Sequence, residues 1–243
     1  MEEVEEEDFN LLPLLILILM KKWYNDCGDN MRLRNIKNAN KKLLETKYFI
    51  KEPENNKGNF KKIFKNDNPI HLEIGTGKGD FIIGMAKMYP SINFISIEKF
   101  DTVLLKACKK ADEFEFDNLI LMRFDATNIE DLFDSEIDHL YLNFSDPWPK
   151  NRHEHRRLTS DRFLKRYDKI FKEKCIITQK TDNRKLFEYS LISFSNYGYL
   201  INDVSLDLYK TDLKGNIQTE YERKFSQKGD KIYKVQVSKV YKD

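Results

Sequence analysis

Pro69-Ile70-His71-Leu72-Glu73-Ile74-Gly75-Thr76-Gly77-Lys78-Gly79 is the stretch on which the fold turns. A short apolar strand runs into a loop with glycine at every second position, and Asp80-Phe81-Ile82-Ile83-Gly84-Met85-Ala86-Lys87-Met88 follows with helical spacing. The glycines Gly75, Gly77 and Gly79 thus lie at a strand-to-helix turn, where a backbone without Cβ atoms lets a cofactor approach. A glycine motif alone is a weak signal. Glu73 sharpens it, because it stands two residues before the first glycine and still in the strand. A pyrophosphate gains nothing from a carboxylate there, whereas the ammonium of a methionine moiety does. The pattern favours S-adenosylmethionine over a dinucleotide.

Working outward, Asn93-Phe94-Ile95-Ser96-Ile97-Glu98 reads as a second strand ending in an acid, 19 residues after Gly79. A carboxylate there can accept both ribose hydroxyls of a nucleoside. A helix is expected over 102–114, and Leu119 to Ala126 supplies a third strand ending in Asp125, placed to meet an adenine amino group. Any one of these acids would more often cap a helix or a turn. Three acids at three successive strand ends point to one shared ligand.

A fourth strand, Ile137 to Leu142, leads into Asn143-Phe144-Ser145-Asp146-Pro147-Trp148-Pro149-Lys150 and then the basic run Asn151-Arg152-His153-Glu154-His155-Arg156-Arg157. Two prolines around Trp148 remove backbone donors and fix φ, so the segment is a stiff loop at a strand's carboxyl end, where open α/β sheets bind ligands. A carboxylate, an indole face and a lysine within five residues suit a flat heteroaromatic ring with N–H donors attached to phosphates, such as a base in a polynucleotide. The plainer alternative is a proline-rich turn with Trp148 packed as core. Beyond it the spacing predicts a helix over 161–171, a strand over 175–178, a helix over 184–197 and a closing strand over 232–240. Asp182 either caps the helix that follows it or reaches into the site.

The formal net charge of +2 hides an asymmetry: residues 1–30 hold eight acids and two bases, net −6, which leaves +8 on residues 31–243. A basic body favours a polyanionic partner. The apolar run from Leu11 to Met20 is about half the length of a membrane span and follows an acidic head, unlike a secretory signal, so no membrane association is expected. Residues 1–30 read as an appended extension ahead of a natural start at Met31, residues 31–68 as a basic arm, solvated for most of its lysines with RNA-backbone contact as the sharper option, and 69–243 as one domain. Cys27, Cys108 and Cys175 form no C-x-x-C pair and imply a reducing, cytoplasmic compartment. The four histidines show no metal-ligand spacing, so no metal is expected.

With these residues in view, the chain from about Met31 onward resembles the bacterial tRNA (guanine-N7)-methyltransferase family. The most specific pieces are Asn143 to Lys150 with Arg152-His153 and Arg156-Arg157-Leu158, then Thr181-Asp182-Asn183, then Thr219-Glu220-Tyr221-Glu222. The resemblance implies an α/β, Rossmann-like class I fold with a mostly parallel central sheet and helices on both faces. It also implies methyl transfer from S-adenosylmethionine to N7 of a guanine in the variable loop of tRNA. By the same resemblance, cofactor contacts fall on Glu73, Glu98, Asp125 and Asp146, and substrate contacts on Lys150, Asp182, Thr219, Glu220, Tyr221 and Glu222. Asp146 is the implied catalytic residue. Arg152, Arg156 and Arg157 are expected on the RNA backbone, and His155 stands where the family usually has lysine. Because the family includes both monomers and homodimers, a homodimer stays open.

Overall fold

A computed structural model describes residues 36–210 and 216–240. The expected extension at 1–30 and the start at Met31 lie outside the described residues. From Asn38 onward the chain is one compact unit.

Eight strands form a single sheet in the order β1-β4-β3-β2-β5-β6-β8-β7. They are β1 (Phe49–Ile50), β2 (Ile70–Ile74), β3 (Asn93–Glu98), β4 (Leu119–Arg123), β5 (His139–Asn143), β6 (Lys174–Thr181), β7 (Leu200–Ser205) and β8 (Tyr233–Val240). The first six positions in that order pair in parallel, and β8 runs antiparallel between β6 and β7. The helices are α1 (Ala39–Leu43), α2 (Phe60–Phe64), α3 (Asp80–Met88), α4 (Asp101–Ala111), α5 (Asp161–Tyr167), α6 (Arg184–Asn196) and α7 (Glu220–Ser226).

Strand alternation sorts the two faces. Ile70, Leu72 and Ile74 of β2, with Leu140 and Leu142 of β5, enter a core closed by Phe163, Leu164 and Tyr167 of α5 and Phe187 and Phe194 of α6. His71, Glu73, His139, Tyr141 and Asn143 occupy the alternate positions on those strands, and Phe81 of α3 packs on Tyr141 with ring centroids 5.0 Å apart. Burying each of these aliphatic or phenyl side chains contributes roughly 1.5–3 kcal/mol. From β2 the chain steps outward to β3 and β4, and from β5 it steps the other way to β6. The order therefore reverses between β2 and β5, and such a switch point opens a crevice at the strands' carboxyl ends.

Three sequence expectations need correcting. Residues 38–68 are not a solvated arm: Leu43, Phe60 and Phe64 are buried, and β1 pairs with β4 through Phe49↔Leu121. Their lysines pointed to solvent, but the apolar residues between them supply a strand and two helices to the same unit. The strand over 232–240 does not close the sheet; β7, which sequence reading left without an element, forms that edge. The helix expected over 161–171 ends at Tyr167, whose ring is fully buried and whose hydroxyl donates to the Leu158 carbonyl at 3.0 Å.

Candidate active site

The glycine loop turns through left-handed backbone at Gly75 (φ 91°), Gly77 (φ 55°) and Gly79 (φ 82°). A side chain strains that conformation. A Cβ at Gly75 or Gly77 would meet no atom within 4 Å, so these two leave the loop's outer face clear for a ligand. Gly79 serves packing instead: its Cβ would lie 3.0 Å from both Ala107 and Ile83, where α3 approaches α4. The loop is held down by Gly75 N–H donating to the Ile97 carbonyl at 2.9 Å and by a 2.8 Å hydrogen bond between Thr76 Oγ1 and Ser96 Oγ.

Glu73 lies beneath this loop, 1% exposed. Its carboxylate accepts from Asn143 Nδ2 at 3.0 Å and from Ser96 Oγ at 3.2 Å. Burial pushes its pKa up to about 8, although both hydrogen bonds and the nearby Lys180 ammonium pull the other way. Burial thus favours the neutral acid. A further ammonium placed against it would favour the charged form.

Glu98 accepts from Lys99 N–H at 2.8 Å, Phe100 N–H at 3.1 Å and Gly77 N–H at 3.4 Å. Burial raises its pKa, opposed by those hydrogen bonds, with Asp146 adding a further upward push. Asp125 is raised by burial as well, but its 2.7 Å ion pair with Lys99 and two hydrogen bonds from Thr127 outweigh burial and hold it below the ordinary value. Glu98, Asp125, Asp146, Gly75 and Trp148 line one cavity of about 540 Å³, walled on its apolar side by Ile74, Ile97, Phe124 and Phe163. That volume suits a nucleoside-sized ligand. An acidic rim, an apolar wall, a clear glycine face and a buried acid suited to an ammonium together fit S-adenosylmethionine.

The Asp146 loop is strained where it needs to be stiff. Phe144 (φ 52°) and Trp148 (φ 41°) both adopt left-handed backbone, which costs a non-glycine residue on the order of 1–3 kcal/mol. Arg157 restrains the loop: its Nε donates to the Pro147 carbonyl and its Nη2 to the Trp148 carbonyl, each at 3.1 Å, and its guanidinium lies over the Tyr189 ring at 4.2 Å. At 9% exposure Arg157 is a clamp on the loop, and it does not present its charge as the sequence suggested. Lys150, Arg152 and Arg156 are exposed. The Arg156 guanidinium stacks over the Trp148 indole at 4.9 Å. Trp148 is therefore half-buried at the cavity rim, and the alternative of a core tryptophan falls.

The remaining expected residues divide by role. Asn183, not Asp182, caps α6, accepting from Leu186 N–H at 2.9 Å. Asp182 is left half-buried, and burial first, then the Asp182 and Asp146 charges, raise the Tyr221 hydroxyl. Tyr221 is 44% exposed and meets Phe144 at 5.4 Å. Thr219 Oγ1 caps α7 by accepting from Glu222 N–H at 2.9 Å, and Glu220 pairs with Lys78 of the glycine loop at 2.5 Å. Glu222 is fully buried on Lys180, so its carboxylate is structural in this arrangement. Sequence reasoning left Lys180, Lys99 and the role of Asn143 unassigned. The available signal was polarity at the ends of otherwise apolar strands.

The Methyltransf_4 family of methyltransferases matches residues 67–235. A tRNA (guanine-N(7)-)-methyltransferase of Bacillus licheniformis is 50% identical over 85% of this chain and 98% of its own length. The enzymes of that name from Bacillus velezensis (52%, covering 88% and 99%) and Listeria monocytogenes (54%, covering 77% and 88%) are similarly related. Among solved structures, an antibiotic-related methyltransferase superposes with a TM-score of 0.57 at 19% identity over 75% of this chain and 92% of its own. The 16S rRNA methyltransferase KamB does so with 0.56 at 14% identity over 75% and 93%. At such identities they support the fold alone. Half-identical sequence over nearly the whole of these relatives, on a Rossmann-like sheet with the site at its switch point, places this chain in the tRNA (guanine-N(7)-)-methyltransferase family.

Proposed function

We infer that this chain transfers a methyl group from S-adenosylmethionine to N7 of a guanine in tRNA, forming 7-methylguanosine. The observation that carries the reading is the convergence of Glu98, Asp125 and Asp146 on one cavity whose lining includes Ile74 and Gly75, next in the chain to the buried Glu73. Glu73 receives the cofactor's ammonium, Glu98 its ribose hydroxyls and Asp125 its adenine amino group. Bound S-adenosylmethionine supplies a methyl carbon activated by its sulfonium. The protein's task is then to hold acceptor and donor in line. Guanine N7 has a lone pair and no proton, so no general base is needed before attack. Asp146 accepts from the N–H edge of the guanine and favours the ring as positive charge develops on it.

Phe144, Tyr221 and Trp148 offer aromatic faces beside Asp146 for a base withdrawn from its stack. Lys150, Arg152 and Arg156 take phosphates. Asp182 and Tyr221 flank the acceptor, with the backbone of Thr219 and Glu220 completing its seat. The target guanine lies in the tRNA variable loop and the reaction in the cytoplasm, where that RNA works. Among the described residues no helix is long and apolar enough to cross a membrane. The test is methyl incorporation from labelled S-adenosylmethionine into unmodified tRNA transcript, followed by reduction and aniline cleavage. Cleavage at one variable-loop guanine supports the reading in full, and incorporation without such cleavage moves the acceptor atom. Absence of incorporation despite tRNA binding refutes it.

A further inference from the structure

We propose that Lys180 is the positioning residue that joins the two halves of this site, setting the 216–222 segment against the Asp146 loop. It sits at the end of β6 in register with Asn143, and its backbone carbonyl accepts from Phe144 N–H at 2.8 Å, the bond from which the Asp146 loop departs. Its side chain points the other way in function. The ammonium, 4% exposed, donates to Glu222 Oε2 at 2.7 Å, to the Ile217 carbonyl at 3.0 Å and to Asn216 Oδ1 at 3.1 Å, which uses all three protons. The other Glu222 oxygen accepts from Asn216 Nδ2 at 2.7 Å and Tyr209 Oη at 3.2 Å. One lysine thus holds the start of the loop that carries Asp146 and the segment that carries Tyr221.

Two further contacts give the segment a fixed seat. A Cβ on Gly84 of α3 would come within 2.6 Å of Ile217 Cγ2, so the missing side chain lets Ile217 rest on the helix. At the surface Arg223 pairs with Asp80 at 2.8 Å, next to the Lys78–Glu220 pair. A buried ion pair gives the fold little that apolar side chains of equal volume would not. Apolar side chains, however, would not dictate which turn of the segment meets β6. Asn143, which donates to the Glu73 carboxylate at 3.0 Å, stands opposite Lys180 in the β5–β6 register, and the Glu73 charge acts on the lysine ammonium, so a change at the cofactor's ammonium site reaches the segment through this lysine. Cofactor binding at Glu73 and acceptor binding at Tyr221 are coupled as a result.

The inference rests on the methyltransferase reading for its kinetic arm only. Removing one partner leaves an unpaired buried charge, so the first variant is the double replacement Lys180→Met/Glu222→Leu, with the near-isosteric Glu222→Gln as the second. For the double variant we expect a thermal midpoint near the parent's and S-adenosylmethionine affinity within about twofold. Its KM for tRNA should rise roughly fivefold or more against a smaller change in kcat. Backbone amides of 216–226 should exchange faster than the parent's, and their protection should no longer respond to S-adenosylmethionine. Parent-like KM, kcat and exchange overturn the proposal; if the double variant does not fold, the same result from Glu222→Gln overturns it. Absence of methylation in the parent would refute the function, while the exchange arm would still decide the role of Lys180.

Discussion

Proton release on cofactor binding is the sharpest consequence of this site. Glu73 is buried, accepts two hydrogen bonds and titrates at about 8. At pH 7 it is then mostly protonated before binding, and pairing with the cofactor's ammonium would expel close to one proton. Ionising it at pH 7 costs about 1.4 kcal/mol, one pH unit's worth. S-adenosylmethionine affinity should therefore rise toward tenfold per unit over the acid limb from about pH 6 and flatten near 8. Above that the cofactor's own α-amino group, which ordinarily titrates near 7.7–8.0, loses its charge. Calorimetry in buffers of differing ionisation enthalpy counts the proton directly. Glu73→Gln should release none, bind more weakly at pH 8 and lose the acid limb. A parent that releases no proton at pH 7, or a Glu73→Gln variant with the parent's pH slope, refutes the assignment of Glu73 to the ammonium.

Three other outcomes follow from particular contacts. Lys150→Ala and Arg152→Ala should each flatten the salt dependence of tRNA binding by about one unit of slope, whereas Arg157→Ala should leave the slope unchanged and lower kcat, because its guanidinium holds the Pro147 and Trp148 carbonyls; filter binding across a salt series with turnover assays separates them. Gly84→Ala should favour α3 by about 1 kcal/mol through helix propensity, yet displace Ile217 from its seat, so its KM for tRNA should rise while S-adenosylmethionine affinity holds. Burial depresses His71 to about 4 and, with help from His71 and Lys234, His139 to about 3. Their stabilisation is present above about pH 6.5 and lost as pH falls through those values, each on the order of a few kcal/mol. His139→Gln, which can keep the hydrogen bond to Thr178 Oγ1, should shift acid unfolding, followed by circular dichroism, to lower pH.

The cofactor half of the site was legible because it is local: strand, glycine turn and helix each announce themselves within ten residues, and the acids Glu73, Glu98 and Asp125 stand at strand ends that periodicity locates. What was not legible depends on which strands become neighbours. Lys180 looked like one more lysine after a short apolar run, and only the pairing of β5 with β6 brings its carbonyl to Phe144. Glu222 was expected to contact substrate, through the family resemblance, and its sequence position gave no sign that it is buried on Lys180. Arg157 read as one of several basic residues, yet two carbonyls of a proline-rich loop need donors that prolines lack, and the nearest arginine supplies them. The β7 edge escaped because its residues alternate weakly and its Leu200 and Val204 side chains stay exposed. Sequence therefore singled out the acids proposed to meet ligands more readily than the groups that hold the site's segments together, since an acid at a strand end is conspicuous by chemistry alone. A side chain that holds other groups in place becomes conspicuous only through its partners: Lys180 meets Glu222 across 42 positions of sequence and Arg157 meets the Trp148 carbonyl across 9.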